Sequence, residues 1–170
     1  MKKLLIILIV SCCYLTVNAQ RTLDTSWHGH WQGKLNIYNA KGEVQQQIPM
    51  QLNIQPVNGS DTLTWQLVYN TKDVRNYTLY SDTTKKQLLI DEHNGILLAA
   101  ALYNNRLVSW FQVEGGMLQS TYTKTGNTLT MEIMYSSLTQ KLVSGGSNNI
   151  PKVIAFPINS YQFASLSRIP

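Results

Sequence analysis

Gln47-Ile48-Pro49-Met50-Gln51-Leu52-Asn53-Ile54-Gln55 places an apolar side chain at every even position and an amide or proline at every odd one. Period two is the mark of a strand with one packed face and one wet face. A half-solvated strand favours antiparallel pairing, because parallel strands are buried on both sides. The pattern returns at 62–69, with Leu63, Trp65, Leu67 and Tyr69, and at 128–135, with Leu129, Met131, Ile133 and Tyr135. Turn signals separate such stretches: Ala40-Lys41-Gly42, Asn58-Gly59-Ser60-Asp61, Thr71-Lys72-Asp73, Asp82 to Lys85, Asn94-Gly95, Asn104-Asn105, Gly115-Gly116 and Thr125-Gly126-Asn127. After the first interval they recur about every 10–13 residues, the cadence of an all-β sandwich or barrel. Asn and Gly suit the positive φ of tight hairpins. No segment after residue 20 keeps a helical period over three turns. The expectation is therefore an all-β fold: a single antiparallel up-and-down β-barrel of about ten strands on this turn spacing. Closure removes the exposed edges that so long a meander would otherwise carry.

Two segments depart from the pattern. Ile96-Leu97-Leu98-Ala99-Ala100-Ala101-Leu102-Tyr103 is apolar on both faces. It reads either as a central strand covered by a loop or terminus, or as a contact surface through which a homodimer or another partner binds. Residues 137–151, with Ser144-Gly145-Gly146-Ser147-Asn148-Asn149 in their middle, read as a long flexible loop before the last strand or two.

The N-terminus reads differently. Lys2 and Lys3 precede an apolar run from Leu4 to Val17, and Val17-Asn18-Ala19-Gln20 offers a small-residue cut after Ala19. Residues 1–19 are thus expected to be a secretory signal peptide, which makes the mature protein periplasmic or extracellular with no membrane span. A lipobox at Ile9-Val10-Ser11-Cys12 is the weaker alternative, because the residues after Cys12 stay apolar. The full chain of 170 residues has 44% hydrophobic and 14% charged residues, a globular composition that argues against disorder, collagen and coiled coil. Both cysteines, Cys12 and Cys13, fall within the signal segment, so the mature chain has neither disulfides nor thiolate chemistry. Loss of Lys2 and Lys3 leaves 12 basic against 9 acidic residues, a charge of +3. These charges form no track, so nucleic acid is not an expected partner.

The two ends of the mature chain carry a resemblance. Gly29-His30-Trp31 has the Gly-x-Trp form that begins the first strand of lipocalins, and with Gly33 it resembles the Gly-x-Trp-x-Gly of nitrobindin-like barrels. Tyr161-Gln162-Phe163-Ala164-Ser165-Leu166-Ser167-Arg168 looks like the last strand of such barrels. The chain is similar in this to the calycin superfamily, in which a late Arg packs across the first-strand Trp. The resemblance implies that Gly29, Trp31 and Arg168 close the barrel, with the guanidinium over the indole contributing about 1–2 kcal/mol where desolvated. It also implies a small-molecule ligand inside. The departures are the absence of a helix after the barrel, of two short helices after the first strand, and of any His beyond His93 to hold haem iron. Haem therefore does not carry over, and no cofactor is expected.

Trp65, Tyr69, Tyr77, Trp110, Phe111 and Tyr122 are the aromatic residues expected to line an interior, with Arg75 as an anion clamp beside Tyr77. An Arg facing inward needs a partner, and Asp91 or Glu92 on the next strand is the expected one. Asp91 and Glu92 cannot serve together as an acid–base pair, because adjacent strand residues point to opposite faces. His28 and His30 share a face, but zinc usually takes three or four ligands. They read as surface histidines, and no metal is expected. No phosphate loop, nucleophile elbow or Ser/His/Asp spacing is present. The resulting expectation is a non-enzymatic, lipocalin-like barrel that holds a small, largely apolar or amphipathic ligand, an acidic one included. A filled barrel that binds a partner, and a small hydrolase or isomerase in the barrel mouth, are the two alternatives.

Overall fold

The computed structural model describes residues 22–84 and 86–170. The signal-peptide and Cys12 readings, and Lys85 of the fourth turn signal, lie outside the described residues. A single 3-10 turn, Thr25–Trp27, precedes the strands. They follow as β1 (Gly29–Asn39), β2 (Val44–Pro56), β3 (Leu63–Tyr69), β4 (Asp73–Asp82), β5 (Gln87–Asp91), β6 (Leu97–Tyr103), β7 (Arg106–Val113), β8 (Gly116–Thr125), β9 (Thr128–Ser137), β10 (Leu142–Ser144), β11 (Val153–Ala155) and β12 (Ser160–Ile169).

Ten of these strands close into an antiparallel barrel in which β1 to β9 follow one another in chain order and β12 joins β9 back to β1. The expected all-β, up-and-down architecture is what the chain adopts, and all eight turn signals sit at hairpin connections. The deciding stretch explains its own role. Met50, Leu52 and Ile54 are wholly buried, while Gln47, Gln51, Asn53 and Gln55 face out. The outward amides bond across strands instead of meeting water alone: Asn53 Nδ2 donates to Gln66 Oε1 at 2.8 Å, and Gln66 Nε2 donates to Asn76 Oδ1 at 2.7 Å.

The barrel has two unlike ends. At one end Leu23, Trp27, Trp31, Leu63, Leu129 and Leu166 pack into a filled core. The other end is ringed by the β1–β2, β3–β4, β5–β6 and β7–β8 turns. The chain also leaves β9 at this end to reach β12, with Ser160 opposite Tyr135.

Closure runs through the two residues matched to the calycin pattern. Trp31 and Arg168 stand directly opposite each other in the β1–β12 ladder. The Arg168 guanidinium carbon lies 5.1 Å from the centre of the Trp31 ring. Arg168 Nη2 donates to Ser26 O at 3.1 Å and also to His28 O, which fastens the 3-10 turn over the plug. Trp31 Nε1 donates to Trp27 O at 3.0 Å, so the buried indole is satisfied. Gly29 has φ +141°, and a Cβ there would meet Arg168 Nε at 2.9 Å. A Cβ on Gly33 would sit 2.1 Å from the Ser165 carbonyl oxygen. Only glycine lets β12 approach β1 this closely.

The segment 137–151 differs from the flexible loop expected of it. Leu142, Val143 and Ser144 pair with Ala155, Ile154 and Val153, so a two-stranded hairpin stands apart from the barrel ladder. A β-rich run on each side of the Gly145-Gly146 turn supplies the strands. The strand at 96–103 also differs from its first reading. Leu98, Ala100 and Leu102 face the interior, but Leu97 and Tyr103 remain exposed on the outside. No loop or terminus covers them among the described residues.

Candidate functional site

Alternation decides which side chains reach the interior at the open end. From β3 come Trp65, Leu67 and Tyr69, and from β4 Arg75 and Tyr77. β5 to β9 add Ile90, Leu98, Phe111, Leu118, Ser120, Tyr122 and Ile133. Together they bound a cavity of about 410 Å³, within the usual size of small-molecule sites. A second recess of about 320 Å³ is lined by Leu35, Ile37, Ile48, Asp73 and Gln162. The two share Tyr69, Arg75, Leu118 and Ile133 as walls, so Arg75 borders both.

Six of the seven expected lining residues meet here: Trp65, Tyr69, Arg75, Tyr77, Phe111 and Tyr122. Trp110 does not, and that expectation is corrected. It is 70% exposed on the outer face, opposite Gln119, while Phe111 stands opposite Leu118 inside. Neighbours on a strand cannot both point inward. Leu67, Ile90, Leu98, Leu118, Ser120 and Ile133 were missed. The parity of each strand, counted from its turn, is the signal that finds them.

Arg75 reaches a carboxylate other than the two expected. Its partner is Asp73, two residues earlier on the same strand and face, with Nη2 to Oδ2 at 3.1 Å. Asp91 instead accepts from its own turn, with His93 N at 2.7 Å from Oδ1. Glu92 lines the cavity. Arg75 also lies over the Tyr69 ring, 5.3 Å from its centre. The Asp73 carboxylate holds the Arg75 guanidinium firmly in its charged form. Burial pushes the Tyr69 hydroxyl up to about 12, with Arg75 pulling the other way. Burial raises the Tyr122 hydroxyl further still.

Deeper in, the Trp65 and Tyr122 rings meet edge to face with centres 4.9 Å apart. Trp65 Nε1 is buried there and completes no hydrogen bond among the described residues. The wall is mostly apolar, with the charged groups at the mouth and Ser120, the Tyr122 hydroxyl and Trp65 Nε1 as the polar groups deeper in. His30 and His93 line one recess on the outer face. His30 Nδ1 bonds Asn53 Oδ1 on the outer face, and no group of three or more potential metal ligands forms among the described residues.

No protein-family model and no curated protein matches the chain. Solved structures do. A DUF3598-family protein of unknown function from Nostoc punctiforme aligns over 88% of this chain with a TM-score of 0.62 and 10% identity. The alignment spans about half, 51%, of that longer protein. An S-type phycobiliprotein lyase from Guillardia theta aligns over 85% of this chain and 89% of its own, with a TM-score of 0.51 and 10% identity. The chain is a closed antiparallel barrel similar in fold to these structures, and at these identities the likeness speaks of fold alone.

Proposed function

We propose that this protein is an exported, non-enzymatic barrel that binds a small, largely apolar molecule at its open end. The carrying observation is the cavity of about 410 Å³, walled by Leu67, Ile90, Leu98, Phe111, Leu118 and Ile133 beneath a polar rim. An apolar wall with a few placed polar groups suits a ligand that leaves water for its body and keeps its head at the mouth. The head meets Arg75, Tyr69 and Tyr77. An acidic head has to share Arg75 with Asp73, which already pairs with it, and it faces Glu92 as well. Its advantage over a neutral head is therefore that of a half-exposed ion pair, at most about 1 kcal/mol or roughly fivefold.

Two fluorescent probes of similar skeleton test this: neutral N-phenyl-1-naphthylamine and anionic 1-anilinonaphthalene-8-sulfonate. Both should bind the wild type. Leu118→Trp, which fills the cavity, should abolish both. Arg75→Gln should weaken the anionic probe about fivefold and leave the neutral one unchanged. Undiminished binding in Leu118→Trp refutes the site, and equal loss of both probes in Arg75→Gln refutes the acidic preference.

A second reading rests on the outer face. Leu97, Tyr103 and Trp110 are exposed on neighbouring strands β6 and β7. We propose this patch as a homodimer surface through 96–103. Sedimentation equilibrium should show a dimer that Trp110→Asp dissociates; a monomer at all concentrations rejects it.

A further inference from the structure

The chain between β9 and β12 holds the longest run of exposed residues in the described molecule. All residues of 139–158 are exposed. Seven of them are large and apolar: Leu142, Val143, Ile150, Val153, Ile154, Phe156 and Ile158, between 39% and 64% exposed. Hairpin alternation divides these between its faces, with Val143 opposite Ile154 on one and Leu142 opposite Ala155 on the other. Neither face packs on the barrel. A polypeptide gains nothing from ordering such residues in water, and contiguous exposed apolar surface marks a contact.

Its position and charge say what kind. The arm leaves and rejoins the barrel at the open end: Leu138 N bonds Gly115 O, and Asn159 N bonds Tyr135 O. Val44, Val74, Ile96 and Val113 add exposed apolar residues on the other turns of that rim. The arm carries Lys141 immediately before β10 and Lys152 immediately before β11, and no carboxylate occurs anywhere in 133–170. The acidic residues of this end are Glu43 and Glu114 on the two turns that flank the arm and Asp73, Asp91 and Glu92 at the turns across the mouth, with Lys41, Lys72 and Arg75 offsetting three of them. The arm itself, residues 139–158, is therefore apolar and cationic.

We infer that the β10–β11 arm docks the open end of the barrel onto a lipid bilayer bearing anionic headgroups. The apolar side chains enter the interface between headgroups and acyl chains, and Lys141 and Lys152 remain at headgroup level. A basic residue beside an anionic surface strengthens binding about fivefold, so the two together favour anionic over zwitterionic vesicles by roughly 25-fold. The inference is independent of what the cavity binds.

Hydrogen exchange read peptide by peptide on the full chain tests it, because the arm is then reported separately from residues 1–21. With vesicles of phosphatidylglycerol and phosphatidylcholine, exchange across 139–158 should slow severalfold. With phosphatidylcholine alone it should slow far less at the same lipid concentration. Leu142→Asp with Ile154→Asp should remove the protection, and Lys141→Glu with Lys152→Glu should remove the anionic preference. Both variants should keep wild-type binding of N-phenyl-1-naphthylamine, which separates this inference from the cavity reading. Three outcomes overturn it: no slowing on any vesicle, slowing that depends on protein concentration without lipid, or slowing on adding N-phenyl-1-naphthylamine alone. The second outcome means that another copy of the chain covers the arm, and the third that the arm closes over the cavity.

Discussion

Trp31 shows how much of the molecule can rest on one side chain. It is wholly buried, bonded through Nε1 to Trp27 O, and covered by the Arg168 guanidinium. Trp31→Ala should cost about 3–5 kcal/mol in urea unfolding, the range for truncating a buried aromatic; a loss below about 1 kcal/mol would place the indole outside the core. The Gly-x-Trp motif and the late Arg made this contact legible in advance, because both residues carry rare and recognisable chemistry. Arg75 was legible as a residue but not in its pairing. Its partner, Asp73, lies on the same strand rather than the next one, because the β3–β4 turn ends just before Asp73 and leaves both side chains free to meet at the rim. Only side-chain placement distinguishes Asp73 from Asp91 and Glu92, which are equally plausible by sequence.

At the scale of the strand, period two carried most of the reading. It put Trp65 on the packed face of β3, whereas Trp110, Phe111 and Tyr122 were expected inside only as aromatic residues. That expectation failed for Trp110 because the aromatic residues of β7 were counted without their parity. The proline in the deciding stretch is tolerated for a local reason. Pro49 O accepts from Asn70 N, the first residue past β3, so the missing N–H of Pro49 faces the exposed β3–β4 turn and not the ladder. The β10–β11 hairpin escaped because each strand is three residues long and Gly145-Gly146 reads as linker. Since 139–158 buries nothing, replacing it with a short glycine-containing turn should change barrel stability by less than about 1 kcal/mol. Thermal and urea unfolding check this, and a larger loss would show that the arm packs on the barrel in solution.

For the whole barrel, alkaline pH tests the burial of three tyrosines. An unfolded tyrosine ionises near 10. Burial holds Tyr69 at about 12 and Tyr122 higher in the fold, and burial with the 2.7 Å hydrogen bond to Glu132 holds Tyr161 at about 12. Their folded pKa values are raised, so the associated stability is complete below pH 10 and is lost as pH climbs from about 10 through about 12. Absorbance of tyrosinate should therefore rise in two steps, the later one coinciding with loss of near-ultraviolet circular dichroism; a single step near 10 with the fold intact would show that these hydroxyls are solvated. By itself the sequence determined the barrel strands, their turns and the all-β class, since alternation and turn chemistry are local properties, and the resemblance at its two ends named the two residues that seal the barrel. Only the tertiary structure decided that one end is filled and the other hollow, that Asp73 holds Arg75, and that the last hairpin stands clear of the core. Those outcomes depend on how side chains from distant strands share a fixed volume, and no window of neighbouring residues contains that information.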